Sequence, residues 1–230
     1  SKAKDMTLVK QIGIEDDITA ISSDNTDVVV EFSVPSASLN NVVTLVKQGV
    51  NVIVGTTGWT EEKLQTVKDL LQEPEHNNQI VFIVPNFAIS AVLAQYFATK
   101  AARYFESVEI IEMHHPDKVD APSGTAIHTA QGVAKARAEA GLGAMPDNTQ
   151  GNVSSRGELV EGIPVHAIRL RGLNAHEEIL FGNAGEQLVL RADSFDRISF
   201  MPGVLLAVRA VVSGKYDSGL LVGLESILDL

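Results

Sequence analysis

The sequence predicts an α/β fold class in which two architectures share one chain, and three observations carry that expectation. In the first half, β-branched runs alternate with segments of helical spacing, the pattern of a parallel sheet with right-handed crossovers. Past Val108, extended runs follow one another across short Gly or Asn turns with no helix between them, which predicts an antiparallel or mixed sheet. The final residues, 201–230, return to a helical pattern, so the chain is expected to cross back to its first architecture near Pro202 and Gly203, where a bend is predicted.

The elements follow in order. Asp27 to Phe32 is a β-branched strand ending at Pro35, Ala37 to Gln48 has helical spacing and stops at Gly49, and Asn51 to Val54 is a second buried strand. Thr60 to Leu71 predicts a helix capped by Thr60, with Glu61 and Glu62 in the first turn, where negative charge is favoured. Gln79 to Val84 is a third strand. Ile89 to Phe105 predicts a long amphipathic helix with Leu93, Phe97 and Ala101 on one stripe. In the second half, Ile163 to Arg171, His176 to Phe181 and Gln187 to Ala192 read as strands, and Ala144 to Glu161, rich in Gly, Asn, Ser and Asp, reads as a long loop. Two domains are expected: 1–87 with 198–230, and 88–197.

Composition narrows the function. The chain has 230 residues, 45% of them hydrophobic, enough to bury a substantial core. Its longest apolar stretches fall short of the roughly 20 residues that a membrane helix needs, and Arg209 interrupts one of them. A net charge of −11 with 18 scattered basic residues argues against nucleic-acid binding. Zero cysteines exclude a thiol nucleophile, a disulfide framework and a thiolate metal site. With no apolar signal region at Ser1 to Asp5, a cytoplasmic setting is expected.

The chemistry concentrates between Glu109 and Thr125, where a strand-like run empties into His114, His115, Lys118 and a Ser123-Gly124-Thr125 turn that opens a helix running to Ala140. An adjacent histidine pair is, taken alone, more often a packing or surface feature. Here its neighbours are complementary: imidazole exchanges protons near neutral pH, an ammonium supplies fixed positive charge, and a helix start offers backbone N–H groups to an anion. Pro122 forces an extended approach to Ser123, the expected N-cap. No metal site is expected, because His114 and His115 point to opposite faces of a strand and His128, His166 and His176 stand alone, as packing or surface hydrogen-bonding residues. Ser123 lacks the Gly-x-Ser-x-Gly elbow of a hydrolytic nucleophile. Val54-Gly55-Thr56-Thr57-Gly58 and Val84-Pro85-Asn86-Phe87 each follow a strand, where open α/β sheets bind ligands.

Taken together, the Glu109-to-Ala126 segment, Val-Gly-Thr-Thr-Gly, Pro-Asn-Phe-Ala-Ile-Ser and Asp-Arg-Ile-Ser-Phe-Met-Pro-Gly-Val closely resemble the 4-hydroxy-tetrahydrodipicolinate (dihydrodipicolinate) reductase family, from about Leu8 onward. The resemblance implies a Rossmann-like nucleotide domain, a substrate and oligomerisation domain, a homotetramer, and reduction of a small cyclic dicarboxylate by NADH or NADPH in lysine and diaminopimelate synthesis. Carried over by position, it implies His114 as general acid and Lys118 as cationic partner at a substrate carboxylate. His115, Ser123, Gly124, Thr125 and Thr57 would hold the substrate, while Phe32, Ser33, Gly55, Thr57, Val84, Asn86, Phe87, Arg197 and Phe200 would meet the cofactor. The residue chemistry agrees: hydride transfer to a conjugated imine needs a positioned acid, and a dicarboxylate needs an ammonium and backbone donors.

Two departures modify that picture. Only Gly13 and Gly49 precede Gly55, so the family's opening strand and Gly-x-x-Gly-x-x-Gly phosphate loop are expected to be absent and cofactor affinity weakened. Leu8 to Gly13 resembles the family's second strand, with Gln11 where an acidic residue usually bonds the adenosine ribose, which implies tolerance of NADPH as well as NADH. Two competing readings stand beside the reductase: a non-catalytic dicarboxylate-binding or assembly protein that lost its nucleotide loop, and another two-domain NAD(P)-dependent enzyme acting on amino or imino acids.

Overall fold

The computed structural model describes residues 3–151, 153–228 and 230. The chain divides into two compact units, Ser1–Phe87 with Phe200–Leu230, and Ala88–Ser199.

The first unit is built on four short parallel strands, β1 (Val28–Glu31), β2 (Asn51–Val54), β3 (Ile80–Ile83) and β9 (Gly219–Val222), in the order β1-β2-β3-β9. Their near-continuous Val and Ile runs are what a parallel sheet covered on both faces requires. Val52, Val54, Val81 and Ile83 pack with Val42, Leu45 and Val46 of α1 (Pro35–Lys47) and with Val67, Leu70 and Leu71 of α2 (Glu61–Gln72). Ile53 and Phe82 alternate to the opposite face and are equally buried. Helix α2 begins as expected: the Thr60 hydroxyl accepts from the Lys63 N–H at 3.4 Å.

The second unit is a five-stranded mixed sheet, in the order β5-β6-β4-β7-β8: β4 (Ser107–His114), β5 (Glu158–Val160), β6 (Ile163–Arg169), β7 (Ala175–Asn183) and β8 (Glu186–Ser194). Only β4 and β6 run parallel; the other pairs are antiparallel. One face carries Val108, Ile110, Val165, Ile179, Phe181 and Ala192 against α3 (Ile89–Ala101) and α4 (Gly124–Glu139).

Several expectations are corrected. Leu8 to Gly13 forms no strand: Leu8 and Val9 are both 62% exposed, and a run without a neighbouring strand has nothing to satisfy its backbone. Gln11 therefore stands at no strand end, and the inference on cofactor choice drawn from it loses its premise. In α3 the buried face is Ala94 and Ala98 with Val92, not the stripe through Leu93 and Phe97, and Phe97 is 48% exposed. Small side chains win that face because α3 lies against α4, itself lined by Ala126, Ala130 and Ala136. The helix also ends earlier, in a 3-10 turn at Ala102–Tyr104. The expected loop at 144–161 contains a 3-10 turn at Val153–Arg156 and strand β5. The C-terminal segment is not helix throughout, because Gly219–Val222 returns as strand β9 after α5 (Met201–Val212), and Pro202 and Gly203 lie inside the first turn of α5 rather than at a bend.

Candidate active site

Strand β4 places the first group. Its burial alternates, with Val108, Ile110 and Glu112 turned inward, so His114 emerges on that same face as the strand ends. A turn follows, in which the Lys118 N–H donates to the His115 carbonyl at 3.2 Å. After it Ser123 caps α4, its hydroxyl accepting from the Ala126 N–H at 3.2 Å.

Glu112 lies at the centre. Its side chain is fully buried, and both oxygens are saturated with donors. Oε2 accepts from His114 Nδ1 at 2.6 Å and from Arg169 Nη1 at 2.8 Å. Oε1 accepts from the Ser123 N–H at 3.0 Å and from Arg169 Nη2 at 2.8 Å. Burial alone would push this carboxyl up, but the hydrogen bonds and charges of His114 and Arg169 outweigh it and hold it down at about 2. Arg169 Nη2 also donates to the Asp120 carbonyl at 2.6 Å, and the Asp120 carboxylate accepts from Lys118 Nζ at 2.6 Å. The Lys118 ammonium holds the Asp120 carboxyl below the usual range. An unbroken chain of hydrogen bonds thus joins His114, Glu112, Arg169, Asp120 and Lys118.

The structure therefore brings His114, Lys118 and Ser123 together. The Ser123 amide is engaged by Glu112, which leaves Gly124 and Thr125 as the first helical residues of α4. A Cβ on Gly124 would meet no heavy atom within 4 Å and its φ is not positive, so neither packing nor backbone conformation within this chain demands glycine there. His115 sits nearer the surface, its side chain 46% exposed and 4.0 Å from Asp117. Glu112 and Arg169 were missed in the sequence. The period of two backwards from His114 would have found Glu112; Arg169, 57 residues away, had no local signal.

A second buried acid faces the first. Glu177 pairs with Glu112 across β4 and β7 and is 5% exposed. Its Oε2 accepts from the Thr129 hydroxyl at 3.3 Å, while Oε1 has no hydrogen-bond partner among the described residues. Burial, together with the negative charge of Glu112, pushes its carboxyl up to about 7.

In the first unit, the carboxyl ends of β1, β2 and β3 gather the residues expected to meet a nucleotide. The Phe32 ring packs against Phe87 with centroids 5.6 Å apart, and a Cβ on Gly55 would lie 2.0 Å from Phe32 Cε1, so only glycine lets the ring lie over the end of β2. Phe32 is 60% exposed while Phe87 is buried, so Phe32 is the ring this pair presents to solvent. Glu31, itself buried, accepts from the Ser33 N–H at 3.0 Å and from the Ser38 hydroxyl at 2.7 Å, fixing the turn from β1 into α1. Burial would raise its carboxyl, yet the Ser33 and Ser38 hydroxyls outweigh this and lower it. The Gly55 N–H donates to the Glu31 carbonyl at 2.9 Å and the Val84 N–H to the Val54 carbonyl at 2.8 Å, while Thr57 is exposed and Asn86 half-buried. Arg197 and Phe200 lie on a 3-10 turn at Arg197–Phe200, and Arg197 is exposed, outside the His114 network. Among the described residues no group of three His, Asp or Glu side chains is placed to hold a metal, and no helix is long and apolar enough to cross a membrane.

Known proteins align with this arrangement along the whole chain. A protein 66% identical over 231 residues is the 4-hydroxy-tetrahydrodipicolinate reductase of Bifidobacterium longum subsp. infantis; the match covers 100% of this chain and 92% of that one. The enzyme of the same name from Corynebacterium urealyticum is 49% identical over 216 residues, 94% of this chain and 85% of that one. Among solved structures, dipicolinate-bound dihydrodipicolinate reductase from Paenisporosarcina sp. TG-14 superposes with a TM-score of 0.76 at 41% identity, covering 88% of this chain and 74% of that one. An amine dehydrogenase from Mycobacterium smegmatis, at 10% identity and a TM-score of 0.52, shares the fold alone. Residues 2–87 match the family model for the dihydrodipicolinate reductase N-terminus and residues 90–228 that for its C-terminus, and the chain belongs to the dihydrodipicolinate reductase family.

Proposed function

We propose that this chain reduces 4-hydroxy-tetrahydrodipicolinate to tetrahydrodipicolinate with NADH or NADPH, the 4-hydroxyl leaving as water to give the conjugated imine that takes up the hydride and a proton, a step of lysine and diaminopimelate biosynthesis. The observation that carries the reading is the fastening of His114 and the start of α4 to one buried carboxylate, which sets a proton donor beside an anion-binding helix end. His114 protonates the ring, delivering its proton from Nε2 while Nδ1 stays on Glu112. Lys118 neutralises one substrate carboxylate, passing from Asp120 to the ligand, and Gly124, Thr125, the hydroxyl proton of Ser123 and His115 hold the remainder of the dicarboxylate. The glycine at 124, required by nothing in this chain, suits close approach of a carboxylate to the backbone.

The parallel strand ends fit a nicotinamide nucleotide, since Gly55 exists there to accommodate an exposed aromatic ring. Phe32, Ser33, Gly55, Thr57, Val84, Asn86, Phe87 and Phe200 would hold it, and when bound the nicotinamide supplies the hydride. The second unit leaves the outward face of its sheet open, with Ile168 42% and Val189 48% exposed beside Ile111, Met113 and Leu180. That face supports assembly into a homotetramer, in a cytoplasmic setting; light scattering at the mass of four chains tests it, and a monomer would refute it.

The function is tested by following NADH or NADPH oxidation with freshly generated substrate. Turnover by the parent chain and a kcat lowered by roughly 10² to 10⁴ in His114→Gln, the usual worth of general acid catalysis, are expected. An unaltered kcat would remove His114 from the mechanism. Absence of turnover alongside dicarboxylate binding would favour the non-catalytic binding protein.

A further inference from the structure

We infer that Glu112 and Arg169 form a positioning clamp, in which one buried carboxylate holds the general acid and the substrate-binding helix end in fixed relation. The inference rests on the reductase reading for its catalytic consequence, but its structural content stands on this chain alone.

Four donors converge on two oxygens. Arg169 approaches as a two-pronged fork at 2.8 Å on each side, the planar geometry that guanidinium and carboxylate share. The remaining lone pair of Oε2 goes to His114 and that of Oε1 to Ser123, so no acceptor capacity is left. A carboxylate can only accept. Its contact with His114 Nδ1 therefore requires a proton on Nδ1, and any second proton on the ring sits on Nε2, the only nitrogen able to deliver it outward. Once Nε2 has given its proton away, the neutral ring retains Nδ1–H and stays in place. Arg169 makes this stable: its charge allows Glu112 to remain ionised while fully buried, where an unpaired carboxylate would take up a proton and become a competing donor toward Nδ1.

The same carboxylate reaches Ser123, whose amide immediately precedes the two helical residues proposed to hold the substrate anion. Through Arg169 the clamp also grips the Asp120 carbonyl, the residue whose side chain holds Lys118. Acid, helix end and ammonium are thus referred to one point in the core rather than to the mobile ends of their own side chains. Displacements of about 1 Å from productive geometry lower catalysis by roughly 10²-fold, which makes such a reference point consequential.

A glutamine at 112 reverses the arrangement. Arg169 donates to both positions, but the Ser123 N–H can only donate whereas the His114 ring can change tautomer, so the single oxygen takes the Oε1 position and the NH₂ is directed at His114 Nδ1, leaving Arg169 Nη1 unpaired. A ring accepting there carries its proton on Nε2 in the neutral form and cannot become doubly protonated without two N–H groups meeting. Glu112→Gln is therefore expected to lower kcat by about 10²-fold or more while changing the KM for NADH or NADPH less than threefold, the wrong-tautomer effect known for buried carboxylate–histidine pairs. The double variant Glu112→Gln with Arg169→Met removes the unpaired guanidinium, so it is expected to melt near the parent temperature and yet stay as inactive as the single variant.

The decisive readout is the ¹⁵N spectrum of the His114 ring, which distinguishes the two neutral tautomers. The parent is expected to show Nδ1–H and either variant Nε2–H. An acceptor-type Nδ1 in the neutral parent overturns the clamp whether or not the variants fold, and so does a folded variant whose kcat lies within threefold of the parent. A parent without turnover would sink the reductase reading, and the tautomer measurement would still decide the positioning.

Discussion

Glu177 gives the sharpest quantitative test, because it lies buried opposite an ionised neighbour and has one oxygen without a hydrogen-bond partner among the described residues. In the unfolded chain it titrates near the ordinary 4.5, and in the folded protein at about 7. That difference corresponds to about 3 kcal/mol of stability. Its sign follows from which state binds the proton. Below about 4.5 both states are protonated and nothing is lost. As pH rises toward 7 the unfolded state releases its proton while the folded state keeps it, so stability falls, and above 7 the folded protein carries the full penalty of a second buried carboxylate. Glu177→Gln preserves shape and removes the titration. Urea unfolding at pH 5 and pH 8 should therefore show the variant gaining more than about 2 kcal/mol on the parent between the two pH values, since less than about 1 kcal/mol of the penalty has developed by pH 5. A stability difference between variant and parent that is the same at both pH values would refute the reasoning.

Glu112 acts with the opposite sign. Its folded pKa of about 2 lies below the ordinary 4.5, so its contribution is present above 4.5 and lost as pH falls toward 2. Between pH 5 and pH 3 the parent should lose about 2 kcal/mol by this route, measured as a narrowing gap from Glu112→Gln in urea unfolding. Gly55→Ala places a Cβ against the Phe32 ring, and because that ring is exposed and can swing away, the melting temperature should hardly move while the KM for NADPH rises several-fold in steady-state assays. Arg137, 6% exposed, donates to the Phe105 carbonyl at 2.6 Å and to the Glu106 carbonyl at 2.9 Å; Arg137→Met strands both, and urea unfolding should register a loss of about 2 kcal/mol.

Much of the first unit was legible because its signals are local. Continuous Val and Ile runs mark covered parallel strands, and caps such as Thr60 and Ser123 act within three residues of themselves. Strand β9 was missed because Gly219–Val222 is four residues long and resembles any short apolar run until β3 lies beside it. The stripe expected on α3 failed for a related reason: periodicity identifies an apolar face but not which of two is buried, and here the close approach of α4 selected the alanines.

By itself the sequence determined which chemical groups the site holds, since His114, Lys118 and the Ser123-Gly124 helix start lie within eleven residues of one another. Only the tertiary structure decided how those groups are held. Pairing of β4 with β6 sets Arg169 opposite His114, and pairing with β7 sets Glu177 opposite Glu112. Strand register is fixed by burial of a whole face rather than by any one residue, so contacts between positions 57 and 65 residues apart leave no trace in the local pattern.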